Sequence, residues 1–205
     1  MCDKKVPKPV VARLPLYLHY LKTLETGTQT NISSGNIALA LGLGEVQVRK
    51  DLGLISGAGK PKIGYKVSEL IKHIENALGT SEETKAVIIG AGKLGLALLG
   101  YDGFKEFGIN ILAAFDKNSE KFTENGNNKK VLDIAELKNY CIMHDVKIGI
   151  ITVPEKEAVK VYEELKTCGV SAVWNFAPVR LASENGIKVR NENMAAALAV
   201  LAADL

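Results

Sequence analysis

The chain has 205 residues, 47% of them apolar and 24% charged, with a formal net charge of +3. That length supports one sizeable core or two modest ones, and the composition is that of a globular protein rather than a disordered or disulfide-rich one. The three cysteines, Cys2, Cys141 and Cys168, have no CxxC spacing and read as free thiols of a reducing cytosol, not as metal ligands, and no apolar run approaches the roughly 20 residues of a membrane span.

Arg13 and His19 interrupt the apolar run near the N-terminus, so no signal peptide is expected. Charge is spread unevenly. Residues 1–80 hold 11 Lys and Arg against 6 Asp and Glu, whereas residues 81–205 hold 15 against 17. A basic first part on a slightly acidic remainder points to a polyanion as the partner of the first part.

In chain order, Val11, Leu14, Leu18, Leu21 and Leu24 form one helical stripe that Gly27 stops, with Pro15 delaying or kinking its start. A short second helix follows, capped by Ser33 or Ser34 and ended by Gly42. "EVQVRKDLGLI" makes a third helix, and the glycines and Pro61 of "SGAGKPKIGYKV" predict a small hairpin. "VSELIKHIENALG" is a fourth helix, and "TSEET" a polar linker.

Three helices and a hairpin are the layout of a winged helix, in which the third helix enters the DNA major groove. At 100° per residue, Val48, Leu52 and Ile55 share the core stripe, and Lys50 points away from it with Gln47 and Arg49 on either side. Those groups suit guanine, adenine and phosphate, and Lys60 and Lys62 of the hairpin supply further cations for the backbone.

After the linker, strands alternate with helices: "KAVIIG", "INILAAFD", "VKIGIITVP", "SAVWNFAP" and "IKVR" are strands, with helical segments between the first four. This predicts a parallel sheet with helices on both faces. Gly90, Gly92 and Gly95 satisfy GxGxxG between a strand and a helix, so that Gly90, Ala91, Gly92, Lys93, Leu94 and Gly95 form a pyrophosphate loop at a helix N-terminus. Asp116, at the end of the next strand with Lys117 beside it, has the spacing of the acid that holds ribose hydroxyls. Such a carboxylate repels a 2′-phosphate, so NAD(H) is expected over NADP(H). The terminal "MAAALAVLAADL" is apolar around its whole circumference, which one buried face does not explain and a partner subunit does.

"QVRKDL", "GYKVSELI", "GAGKLGLALLGYDGF", "AAFD", "ITVP" and "NFAPV" occur in the order found in Rex, the redox-sensing transcriptional repressors of bacteria, and the chain resembles that family along essentially its whole length. The resemblance implies an α/β protein with a winged-helix domain (1–80), a Rossmann NAD(H)-binding domain (81–190) and a C-terminal helix (191–205) swapped into the other subunit of a homodimer. It implies palindromic operator DNA as partner, bound when NAD⁺ predominates and released when NADH replaces it. Thr152, Val153 and Pro154 would line the nicotinamide side, Tyr101 would report the cofactor state, and Arg49 and Lys50 would read DNA.

Two departures stand out. His19 and Asn193 occupy positions where many members carry an arginine and an aspartate, and the wing has "KPK" in place of Lys-Arg-Gly. The alternative readings are a small NAD-dependent oxidoreductase and a Rossmann module whose N-terminal helices bind a protein. The first is disfavoured because His19, His73 and His144 offer no acid–base group beside the glycine loop and no substrate domain follows.

Overall fold

The computed structural model describes residues 6–25, 30–80, 82–122 and 130–203, so Cys2 and the helix stop assigned to Gly27 lie outside the described residues. The chain forms two compact units, one of residues 1–82 with Glu106–Gly108, the other of residues 83–105 and 109–205.

In the first unit, α1 (Lys8–Val11) and α2 (Leu14–Glu25) are separate helices. Pro15 sits in the first turn of α2, where the missing N–H costs nothing, and the break falls ahead of it. The break re-phases the predicted stripe: Val10, not Val11, is buried, and Tyr17 joins Leu14, Leu18 and Leu21 in the core. Helix α3 (Ser34–Leu41) is capped by the Ser33 hydroxyl, which accepts from the Asn36 N–H at 3.1 Å, and it ends at Gly42 in the left-handed region. Helix α4 (Glu45–Ser56) buries Val48 and Leu52. Helix α5 (Val67–Leu78) buries Val67, Leu70, Ile71 and Ile74 at helical spacing and closes the core.

The predicted hairpin is reduced to a single turn. β2 (Tyr65–Lys66) pairs antiparallel with β1 (Asn31–Ile32), far back in the chain, and the wing itself keeps one bridge between Lys60 and Gly64. Pro61 removes a ladder donor, and so few residues leave no room for two paired strands.

The second unit is built on six parallel strands: β3 (Thr84–Ile89), β4 (Ile109–Asp116), β5 (Val131–Asp133), β6 (Ile148–Ile151), β7 (Ala172–Asn175) and β8 (Lys188–Asn191). Their order is β5-β4-β3-β6-β7-β8, the doubly wound arrangement whose direction reverses between β3 and β6. Sequence periodicity misses β5, whose three residues are too few to show alternation. In β4 the register slips by one residue opposite Ala86 and Val87, leaving Leu112 unpaired, and Ile111 and Ala114 thereby share one face.

Coverage of the two faces is unequal. Val87, Ile89, Phe115, Ile151 and Val173 pack against α7 (Leu137–His144) and α8 (Glu155–Lys166). Ala86, Ile88, Ile111 and Ile150 pack against Leu99 of α6 (Lys93–Gly100), with Phe104, Trp174 and Phe176 half-buried beside them. Cys141 and Cys168 are free and buried in the first of these cores. Helix α9 (Met194–Ala203) buries none of its residues: Met194, Leu198, Val200 and Leu201 stay 59–67% exposed.

Candidate functional site

The glycine loop leaves β3 and enters α6 with its backbone under tight control. The Gly90 N–H donates to the Phe115 carbonyl at 2.8 Å, and the Thr152 hydroxyl donates to the Gly90 carbonyl at 2.7 Å. A Cβ on Gly95 would lie 1.9 Å from the Gly90 oxygen, so only glycine allows helix and strand this close. A Cβ on Gly92 would meet nothing within 4 Å, so the loop is open beside the first turn of α6. Gly92 caps α6 without any side-chain bond to its first amides. Those amides and the helix dipole favour an anion there.

Asp116 closes the other side. One carboxylate oxygen accepts the Ala91 N–H at 2.8 Å and the other the Asn118 N–H at 2.9 Å, which fixes the carboxylate against the loop. Each oxygen keeps a lone pair for a ribose hydroxyl. A crevice of about 780 Å³ brings together Gly90, Gly92, Asp116, Lys117, Thr152, Val153 and Pro154. It lies beyond the carboxyl ends of β3, β4 and β6, at the switch point of the strand order, and its volume is that of a small-ligand site. The residues fit a dinucleotide.

Ala91, Lys93, Leu94 and Gly95 belong to the loop and the first turn of α6 and do not line the crevice. Tyr101 stands at the opposite end of α6, 59% exposed, with its ring edge-on to Phe104 at 5.1 Å, and it does not line the crevice. Sequence reasoning missed the far wall: Ile134 and Ala135 before α7, and Glu157, Lys160 and Glu164 of α8. The signal for α8 was the acidic first turn directly after Pro154. None of the three histidines lines the crevice.

In the first unit, Gln47, Arg49 and Lys50 are all exposed on α4. Arg49 makes a loose i,i+4 pair with Glu45 at 3.8 Å, which costs little to give up. Arg49, Lys60 and Lys62 share a groove of about 500 Å³ with Ser33, Ser34 and Gly53. Lys50 and Gln47 lie outside that groove, on the same exposed helix surface.

The orientation of α4 depends on a cluster that sequence reasoning did not find. Asp51 is 4% exposed and accepts Arg13 Nε at 2.7 Å, a second Arg13 nitrogen at 2.9 Å and the Tyr17 hydroxyl at 2.8 Å. Burial pushes the Asp51 carboxyl up, but the bonds from Arg13 and Tyr17 outweigh it and hold the group below its usual range. Burial and the bond to Asp51 push the Tyr17 phenol up to about 12. Asp51 follows Val48 by three residues and borders the apolar stripe, which was the available signal of a buried acid needing partners.

The two departing residues each have a local role. His19 Nδ1 lies 3.2 Å from Glu106 within the first unit. The Asn193 side chain accepts the Ala196 N–H at 2.9 Å and caps α9.

Comparison with known proteins agrees with both units. Residues 5–53 match a family model described as "Putative DNA-binding protein N-terminus" and residues 81–179 one described as "CoA binding domain". The chain is 41% identical over 202 residues, 98% of its length and 96% of the relative's, to the redox-sensing transcriptional repressor Rex of Treponema denticola. It is 36% identical to that of Porphyromonas gingivalis, covering 98% and 92% of the two chains. Among solved structures it is similar to RSP, a Rex-family repressor. The complex of RSP with NAD⁺ and operator DNA aligns at TM-score 0.88 and 30% identity, covering 97% of this chain and 92% of that one. The complex with NADH aligns at 0.82 and 29%, covering 98% and 95%.

Proposed function

This chain belongs to the Rex family of redox-sensing transcriptional repressors, and we propose that it binds operator DNA as a homodimer through its first unit and releases it when NADH replaces NAD⁺ in its second. The observation that carries this reading is the extent of the likeness: at 41% identity it runs through both the basic helix face and the dinucleotide crevice. A regulator of this kind works in the cytoplasm, where DNA and NAD(H) meet.

In this reading the units are a winged-helix domain (1–80), a Rossmann domain (81–190) and a dimerisation helix (191–205). The loop from Gly90 to Gly95 binds the pyrophosphate, Asp116 orients the ribose, and Thr152, Val153 and Pro154 contact the nicotinamide end. The cofactor supplies a ring whose charge differs between its two oxidation states. Tyr101 lies outside its own crevice, so its part in reading that difference requires the second subunit. Helix α9 supports the dimer, because its Met194, Leu198, Val200 and Leu201 stay mostly exposed among the described residues. A twofold dimer presents two recognition helices to a palindromic site.

The dimer must bind NADH more tightly in its DNA-incompetent state than in its competent one. A coupling of about 3 kcal/mol weakens operator binding roughly a hundredfold, and DNA weakens NADH binding by the same factor. Operator-binding anisotropy at fixed salt with NAD⁺, NADH or neither tests this. Release by NADH alone is expected. Absence of DNA binding together with turnover of an alcohol or aldehyde would make the protein an oxidoreductase instead.

The altered wing gives a second prediction. The Lys60 carbonyl accepts the Ile63 N–H at 3.1 Å, a turn with Pro61 and Lys62 at its centre, and Lys62 has φ +63°. That position favours glycine, and a lysine there costs on the order of 1 kcal/mol. Its cation is what it contributes in return. Lys62→Gly is therefore expected to leave thermal stability equal or slightly higher while weakening operator binding several-fold. The slope of log affinity against log salt should fall by about one, as for a lost phosphate contact. Unchanged DNA affinity and slope would remove Lys62 from the interface.

A further inference from the structure

We infer that Glu157 withholds Lys117 from the ribose edge of the dinucleotide crevice, and that this pair, together with Asp116, sets the selection of NAD(H) over NADP(H). The inference rests on the assignment of the crevice above. Lys117 directly follows the ribose-orienting Asp116, and both line the crevice. A cation at this place is what accommodates a 2′-phosphate in dinucleotide sites of this architecture, and an ammonium is a competent phosphate partner. By itself Lys117 would therefore work against the carboxylate next to it.

The structure shows where that cation is directed. Lys117 Nζ lies 3.2 Å from Glu157 Oε1, across the crevice from β4 to the first turn of α8. Glu157 is held there by its backbone N–H, which donates to the Pro154 carbonyl at 2.9 Å, and by the positive end of the helix dipole. The Lys117 and Glu157 side chains are 69% and 43% exposed, so the pair contributes little to folding. Its position on the wall of the crevice gives it a functional reading. The other charged groups on that wall, Lys160 and Glu164, balance one another. With Glu157 present, the ribose edge carries two carboxylates and one ammonium, a net negative charge facing any 2′-phosphate. Without it, Asp116 and Lys117 cancel and the ammonium is free.

The test is titration of NADH and NADPH by nicotinamide fluorescence in the wild type, Glu157→Gln, and the double variant Glu157→Gln/Lys117→Gln, with Asp116→Ala as a separate probe of the crevice. Glu157→Gln is expected to narrow the preference for NADH over NADPH about tenfold, an effect that shrinks with added salt, and the double variant to restore most of that preference. A preference that stays within twofold of wild type in Glu157→Gln, while Asp116→Ala weakens NADH binding, overturns the inference and leaves the crevice assignment intact. A gain for NADPH that persists undiminished in the double variant also overturns it, because Lys117 is then not the group released. If Asp116→Ala leaves NADH binding unchanged, the crevice assignment itself fails.

Discussion

Gly95→Ala is expected to reduce NADH affinity at least about a hundredfold, which corresponds to roughly 2.7 kcal/mol. The added Cβ would sit 1.9 Å from the Gly90 carbonyl oxygen and 2.9 Å from the Thr152 hydroxyl. Neither neighbour has room to move. Gly90 is itself at φ +101° with the Thr152 backbone 3.0 Å from its own Cβ position, and the Thr152 hydroxyl is committed to the Gly90 and Ile89 carbonyls. The strain is relieved only by pushing α6 away from β3. That displaces the amides proposed to meet the pyrophosphate, and a shift of about 1 Å in such a cradle is worth on the order of a hundredfold. Fluorescence titration measures the loss. Operator binding should survive in the variant but become insensitive to NADH. An NADH affinity within threefold of wild type would show that the close approach of helix and strand is not what shapes the loop.

Asp51→Ala is the second large effect, and it acts on DNA rather than on the cofactor. It leaves the Arg13 guanidinium and the Tyr17 hydroxyl without their shared acceptor at the base of α4. Removing one member of a fully buried pair costs about 3–5 kcal/mol. Because the Arg13 side chain remains 27% exposed and reaches water, about 2–3 kcal/mol is expected here. The melting temperature of the first unit should fall, and operator affinity should drop more than tenfold as α4 loses its fixed orientation. NADH affinity of the second unit in the absence of DNA should be unaffected.

The same carboxyl predicts an acid limit. Its folded-state pKa is depressed, so its contribution to stability is present above the unfolded value of about 3.9. That contribution is lost as pH falls through the lower folded value. In Asp51→Ala this part of the acid sensitivity should disappear. A variant that melts like wild type and binds operator normally would show that the cluster does not fix the orientation of α4.

Much of the site was legible in the sequence because its signals are local. The GxGxxG turn needs its glycines wherever it occurs, and Asp116 ends the next strand at a spacing set by one helix and one strand. The exposed face of α4 follows from helical phase alone, and so does the apolar circumference of α9. The wing was less legible. Glycines and a proline mark a turn, but that β2 pairs with β1, more than thirty residues earlier, is not a local property. β5 left no trace, since three residues cannot display a period.

The alternation of strands and helices, the glycine turn and the basic helix can be read from the chain, because backbone conformation and side-chain periodicity are fixed by near neighbours. It takes the assembled fold to bury Asp51 under Arg13, 38 residues away, and to set Glu157 against Lys117, 40 residues away. A periodicity states that a face is covered or a charge exposed, but not by what. The partner is chosen when strands take their order in the sheet and helices their place on it, which brings distant residues within hydrogen-bonding distance. For α9 the sequence states an apolar surface, and among the described residues the fold leaves Met194, Leu198, Val200 and Leu201 exposed.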